Sequence, residues 1–264
     1  MIKEGTLKID NSIVDYVSFG KGNKPMMLLQ GLNPKDSIRG AGIGLAYMYR
    51  LFSKEYKVYC IDRKRDIPEG YTVDDIANDY SCAMSELGIR DANVLGVSQG
   101  GMIAQALAIE HPELVKKIVL GVTLSRNNET LIKCLNNWIH MIKANRYEDF
   151  GMDYFVNNYS EQYLKKNRLL LPVISKLMKP KNTERFIRLT ESCLTCNTYD
   201  RLNEIRCPVF VIGAGQDKVV SGQASVEIAE KLGCRLYMYN DLGHGVYDEA
   251  KDFNQKVYMF FKEA

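Results

Sequence analysis

Apolar and polar positions change period several times along the chain, and each change predicts an element. Lys3 to Ile9 and Ser12 to Ser18 alternate, with Asp10-Asn11 between them, as an antiparallel hairpin would. Met26 to Gln30 is mostly apolar, which suits a first buried strand, and Tyr56 to Ile61 suits the next. Leu45 to Phe52 has helical spacing. So does Val73 to Leu87, where Asp74 and Asp75 favour the first turn. Short apolar runs return at Ala92 to Leu95, Lys117 to Gly121, Cys207 to Gly213 and Arg235 to Tyr239, and each suits a buried strand.

Between about Leu124 and Leu202 strand-like runs vanish. Lys, Arg, Asn and Tyr interleave with apolar residues at helical periods, and Pro172 and Pro180 divide the stretch into short helices. The expected organisation is one α/β core made of residues 1–123 and 203–264, interrupted by a helical insertion over residues 124–202. With 264 residues, the chain is long enough for that and too short for two large domains.

The segment Leu95-Gly96-Val97-Ser98-Gln99-Gly100-Gly101 carries the candidate chemistry. It joins the run Ala92-Asn93-Val94-Leu95 to the helix-like Met102 to Ala108, so a serine stands at a strand-to-helix turn. The residues two before and two after it must be small for strand and helix to approach. Two further strand ends bear polar residues. Cys207 to Gly213 leads to Asp217, and Arg235 to Tyr239 leads to Asn240-Asp241-Leu242-Gly243-His244-Gly245. Open parallel sheets build their sites at such ends. A serine hydroxyl needs an imidazole to take its proton, and His244 suits this better than His111 or His140. Asp217 is the expected partner of that imidazole. Asp241, on the same loop as the base, is its rival.

Composition narrows the classes. Apolar content of 46% and charged content of 25% are ordinary for a globular protein, and a net charge of +3 argues for neither nucleic acid nor membrane as partner. The charged start Met1-Ile2-Lys3-Glu4-Gly5 lacks the apolar core of a secretory signal. Seven scattered cysteines fit a reducing compartment, so a cytoplasmic location is expected. Cys193-Leu194-Thr195-Cys196 lacks a second pair or nearby histidines and is read as two half-buried helix cysteines. No metal or other cofactor is implied.

The stretches GVSQGGMIAQALAIEHPELVKKIVLGVT (96–123) and GHGVYDEAKDF (243–253) resemble the α/β-hydrolases, in particular the esterase and 3-oxoadipate enol-lactone hydrolase branch. The order Ser98, Asp217, His244 is also that family's order. The resemblance implies a mostly parallel sheet flanked by helices, a helical lid at the insertion, and a small carboxylic ester or lactone attacked by Ser98, the alternatives being a small-ligand-binding or signalling protein with little turnover and a perhydrolase or C–C bond hydrolase on the same triad. It implies an oxyanion hole from the backbone N–H groups of Gln99 and Leu32, and it places Glu249 at the family's usual acidic position. It further implies that some cap residues line the substrate pocket, with Trp138, Met141, Tyr154, Phe155 and Tyr159 as candidates beside Val219 and Val246 of the core. Two departures stand out. Gln30-Gly31 replaces the usual His-Gly of the supporting loop, so the glutamine amide is expected to brace it. Asp62-Arg63-Lys64-Arg65-Asp66 replaces a glycine-rich loop.

Overall fold

The computed structural model describes residues 1–35 and 37–263. In chain order the elements are β1 (Lys3–Ile9), β2 (Ser12–Phe19), β3 (Lys24–Leu29), α1 (Gly42–Met48), β4 (Tyr56–Ile61), α2 (Val73–Glu86), β5 (Ala92–Val97), α3 (Gln99–Glu110), β6 (Val115–Gly121), α4 (Glu129–Lys143), α5 (Tyr147–Asn158), α6 (Glu161–Asn167), α7 (Leu171–Lys176), α8 (Thr183–Cys193), β7 (Val209–Ala214), α9 (Gly222–Leu232), β8 (Arg235–Tyr239), α10 (Val246–Glu249) and α11 (Phe253–Lys262). The strands form one sheet in the order β1-β2-β4-β3-β5-β6-β7-β8. β1 runs antiparallel to β2 and β2 to β4, and all later neighbours are parallel. This is the expected α/β architecture.

The central strands are mostly apolar because both faces are covered. On β3, Met27 and Leu29 join the cluster packed by α2, α3 and α9, while Met26 and Leu28 face the cluster built with α1 and α11. Each such side chain contributes about 1.5–3 kcal/mol of apolar burial before chain entropy is counted. α3 lies deepest, with every residue from Gln99 to Ile109 buried. That is why it lacks a polar stripe.

Several boundaries differ from the sequence reading. β3 stops at Leu29, so Gln30 belongs to the following loop. The Leu45 to Phe52 stretch is divided between α1 and a 3-10 turn over Arg50–Phe52. α3 starts at Gln99 and takes in Gly100 and Gly101, which are poor helix formers, because close packing requires glycine there. Asp75 does more than favour its turn: with Thr72 it forms a capping box on α2. Pro172 stands in the first turn of α7, where its missing N–H costs nothing. Helices α9, α10 and α11 had no counterpart in the sequence reading. Among the described residues no helix is long and apolar enough to cross a membrane.

Candidate active site

Ser98 stands between β5 and α3 with φ 54° and ψ −124°. A non-glycine residue there stores about 1–3 kcal/mol, which the surroundings must impose. They do so through hydrogen bonds from the Ser98 N–H to the Gly121 carbonyl (2.9 Å) and from the Thr123 hydroxyl to the Ser98 carbonyl (2.7 Å). The glycines make the turn possible. A Cβ on Gly96 would sit 2.5 Å from the Gly100 carbonyl oxygen, and one on Gly100 would sit 1.9 Å from that of Leu29. Gly101 is equally constrained, since its Cβ would lie 2.6 Å from the Thr123 side chain.

The loops after β7 and β8 bring the other two groups to this turn. His244 Nε2 lies 2.8 Å from Ser98 Oγ, and His244 Nδ1 lies 2.8 Å from Asp217 Oδ2. A carboxylate only accepts, so Nδ1 carries the proton and Nε2 is left to accept from the serine hydroxyl. The other Asp217 oxygen accepts the N–H groups of Val219 (2.8 Å) and Val220 (2.9 Å), which aims the carboxylate. Both Asp217 and His244 are buried. Asp241 is exposed and has no part in this chain of bonds. The structure therefore joins Asp217, and not its rival, to the imidazole.

The His244 loop is fastened to the insertion. Gly245 N–H donates to the Asn158 carbonyl (2.6 Å), and Glu249 accepts from the Ser160 N–H (3.0 Å) and hydroxyl (2.6 Å). Glu249, at the family's acidic position, thus ties α10 to the start of α6. The remaining histidines lie elsewhere. His140 is exposed on α4, and His111 ends α3 with its Nε2 3.0 Å from Asn78 Oδ1.

On the opposite side of Ser98, the loop after β3 passes so close that a Cβ on Gly31 would lie 3.1 Å from the serine Cβ. This puts the Leu32 and Gln99 backbone next to the hydroxyl. Among the described residues neither N–H donates to a protein group. One expectation needs correcting. The Gln30 amide makes no hydrogen bond to the described residues, so it does not brace the loop. The Gln30 and Gly31 carbonyls instead accept from the buried Arg63 guanidinium, at 2.5 and 2.8 Å. Gln30→Ala should therefore leave both ester turnover and melting temperature nearly unchanged, within about threefold and 2 °C. A large loss in either would restore a bracing role to the amide.

A small cavity of about 20 Å³ faces Ser98, and the candidates Trp138, Tyr154 and Val219 line it. Phe155 and Tyr159 instead line a wider groove of about 1080 Å³ that leads away from the site. Met141 and Val246 line neither. Met141 packs into the apolar cluster beside α2 and α3, and Val246 is fully buried in the cluster on the other sheet face. Leu131 and Leu135 take their place. With Trp138 they form an i, i+4, i+7 stripe on α4, a signal present in the sequence but unused. Cys193, Tyr247 and Asn158 also border the cavity and were missed.

Burial disfavours the charged forms of a thiol and two phenols bordering the cavity. The Cys193 thiol is pushed up to about 12, too high to compete as a nucleophile. Cys193 and Cys196 are both fully buried rather than half-buried. The Tyr154 and Tyr247 phenols are raised well above their ordinary value. In the groove, burial raises the Asp248 carboxyl despite a hydrogen bond from the Tyr159 hydroxyl.

A strained serine at a strand-to-helix turn, served by loops from two later strands of a doubly covered parallel sheet, defines the nucleophile-elbow class of α/β proteins. The chain belongs to the alpha/beta hydrolase fold family, whose model matches residues 38–179. It is 23% identical over 249 residues to RutD of Rhizobium rhizogenes, a protein provisionally named a carbamate hydrolase, covering 90% of this chain and 93% of that one. Among solved structures it is similar to MGS-M2, an alpha/beta hydrolase from a Medee basin deep-sea metagenome, with TM-score 0.85, 22% identity and 98% of each chain covered. It is likewise similar to the enol-lactonase of Burkholderia xenovorans LB400, with TM-score 0.84 and 19% identity, covering 98% of this chain and 100% of that one.

Proposed function

We propose that this protein hydrolyses a small carboxylic ester or lactone through an acyl-serine intermediate. The observation that carries the reading is the unbroken chain of hydrogen bonds Asp217–His244–Ser98, 2.8 Å at each link, opposite two backbone N–H groups that are unengaged among the described residues. Ser98 Oγ attacks the carbonyl carbon while His244 Nε2 takes its proton. The negative charge on the former carbonyl oxygen is met by the N–H groups of Leu32 and Gln99. Collapse expels the alkoxide, which receives the proton from His244. Water, deprotonated by the same imidazole, then attacks the acyl-enzyme and releases the acid. Asp217 holds the imidazole's tautomer and offsets its transient charge.

In this reading residues 124–202 act as a cap over a core of 1–123 and 203–264. The cap contributes Leu131, Leu135, Trp138 and Tyr154 to the pocket wall. The names of the relatives support hydrolysis at a carbonyl of the ester or carbamate kind, and a complete triad favours turnover over mere ligand binding. The cavity at Ser98 is only about 20 Å³, little more than one water occupies, so one side of the scissile bond is small. A panel of p-nitrophenyl esters of increasing acyl length, run with simple lactones, tests this. Acetyl to butyryl esters should be turned over fastest, with a steep fall beyond. No turnover of any ester or lactone, together with stoichiometric fluorophosphonate labelling of Ser98, would instead indicate a binding protein with a reactive serine.

A further inference from the structure

The segment Asp62-Arg63-Lys64-Arg65, following β4, places four charged side chains beside the site. Three of them meet an opposite charge. Arg65 pairs with Asp15 at 2.8 Å, Lys64 with Asp79 at 2.7 Å, and Asp62 with Arg185 of α8 at 3.4 Å. Arg63 is the exception. It is 4% exposed, and among the described residues it forms no ion pair. Among the described residues its Nε also has no hydrogen-bond partner.

Its contacts converge on the oxyanion side of Ser98. One nitrogen, Nη2, donates to the carbonyls of Gln30 (2.5 Å) and Gly31 (2.8 Å) and to Gln99 Oε1 (2.5 Å). The Gly31 carbonyl belongs to the same peptide unit as the Leu32 N–H. In a planar trans peptide these two groups point in opposite directions, so gripping the carbonyl from behind aims the N–H towards the serine. It also polarises the amide and strengthens that N–H as a donor. The Gln99 side chain is held at its other end, its Nε2 donating to the Leu189 carbonyl (2.8 Å) and to Ser192 Oγ (3.1 Å) on α8. One cation thereby connects the residues carrying both expected oxyanion donors.

We infer that Arg63 is a positioning residue for the oxyanion hole, acting through the Gly31–Leu32 peptide and the Gln99 side chain without touching substrate. The inference rests on the acyl-transfer reading above. A buried guanidinium whose side-chain hydrogen bonds, among the described residues, go only to neutral oxygens is poorly compensated in the resting protein. Charge developing on the substrate oxygen, across the same peptide, supplies the missing complement. The stabilisation therefore favours the tetrahedral state over the bound ester, which is the condition for lowering a barrier.

The test compares Arg63→Met and Arg63→Lys with the wild type on p-nitrophenyl acetate. Binding is also measured for a trifluoromethyl ketone, which forms a tetrahedral adduct, and for its methyl ketone, which does not. Removing a direct oxyanion donor costs about 10²–10³ in turnover, so Arg63→Met, acting indirectly, should lower kcat about 10–100-fold with KM within about threefold. Trifluoromethyl ketone affinity should fall by the same factor as kcat/KM, and methyl ketone affinity should hold. Arg63→Lys keeps the charge but cannot reach three acceptors, so it should fall between. If Arg63→Met does not fold, the Lys variant carries the comparison, with an expected loss of about 3–10-fold in kcat and in adduct affinity together. A folded variant with wild-type kcat overturns the inference. So does a rise in KM alone, or a fall in kcat without loss of adduct affinity. Wild-type protein that neither turns over esters nor reacts with fluorophosphonate at Ser98 would overturn the acyl-transfer reading itself.

Discussion

Ser98→Ala should abolish measurable ester hydrolysis, lowering turnover by about 10⁵–10⁶-fold, while the protein stays folded. The size follows from the nucleophile's place in the sequence of steps. Without Oγ there is no acyl-enzyme, and His244 can only assist water directly. The fold should tolerate the change because the hydroxyl makes one hydrogen bond, to His244 Nε2, and losing it costs about 1 kcal/mol. The strained backbone is unaffected, since alanine carries the same Cβ. Steady-state kinetics and a melting curve provide the check, and active-site titration adds a second. A fluorophosphonate should modify one peptide, containing Ser98, in the wild type and none in the variant. Undiminished labelling of the variant at another serine would remove Ser98 from the mechanism.

Asp217→Asn should cost about 10⁴-fold in turnover with little change in structure. The asparagine carbonyl can still accept from Val219 and Val220, so the loop keeps its shape. Its NH₂ group, however, now faces Nδ1 and donates to it. The imidazole proton moves to Nε2, which then has no lone pair to receive the serine proton. Asp241→Asn, at an exposed position, should change turnover by no more than about twofold. Measuring the two variants side by side is decisive. The opposite ranking would assign the acid's role to Asp241 despite the geometry.

The triad candidates were legible because each follows a short apolar strand, and strand ends are where such sheets place chemistry. Chain order alone could not separate Asp217 from Asp241, which both precede His244 on loops after strands. Only the direction of the carboxylates separates them. Arg63 was illegible for a different reason. In sequence it sits in a run of charges that suits a solvated loop. It is buried by Arg185 and Leu189 of α8, more than a hundred positions later, and by the loop at Gln30. The pocket errors share a cause in helical phase. Met141 is three residues from Trp138, yet that rotation turns it from the cavity towards the core. Val246 opens α10 and points inwards, while its neighbour Tyr247 faces the site.

The burial of α3 has a consequence for how the molecule breathes. An element enclosed on every side opens only when most of the domain does, whereas α6, with no buried residue, can open alone. The turn that bears Ser98 is therefore rooted in the slowest-opening part of the protein, and α6, tied at its start through Ser160 to Glu249 of α10, is among the fastest. Substitutions that loosen α6 leave the elbow's strain in place. On the acyl-transfer reading proposed above, the sequence of α6 can drift while the serine remains poised.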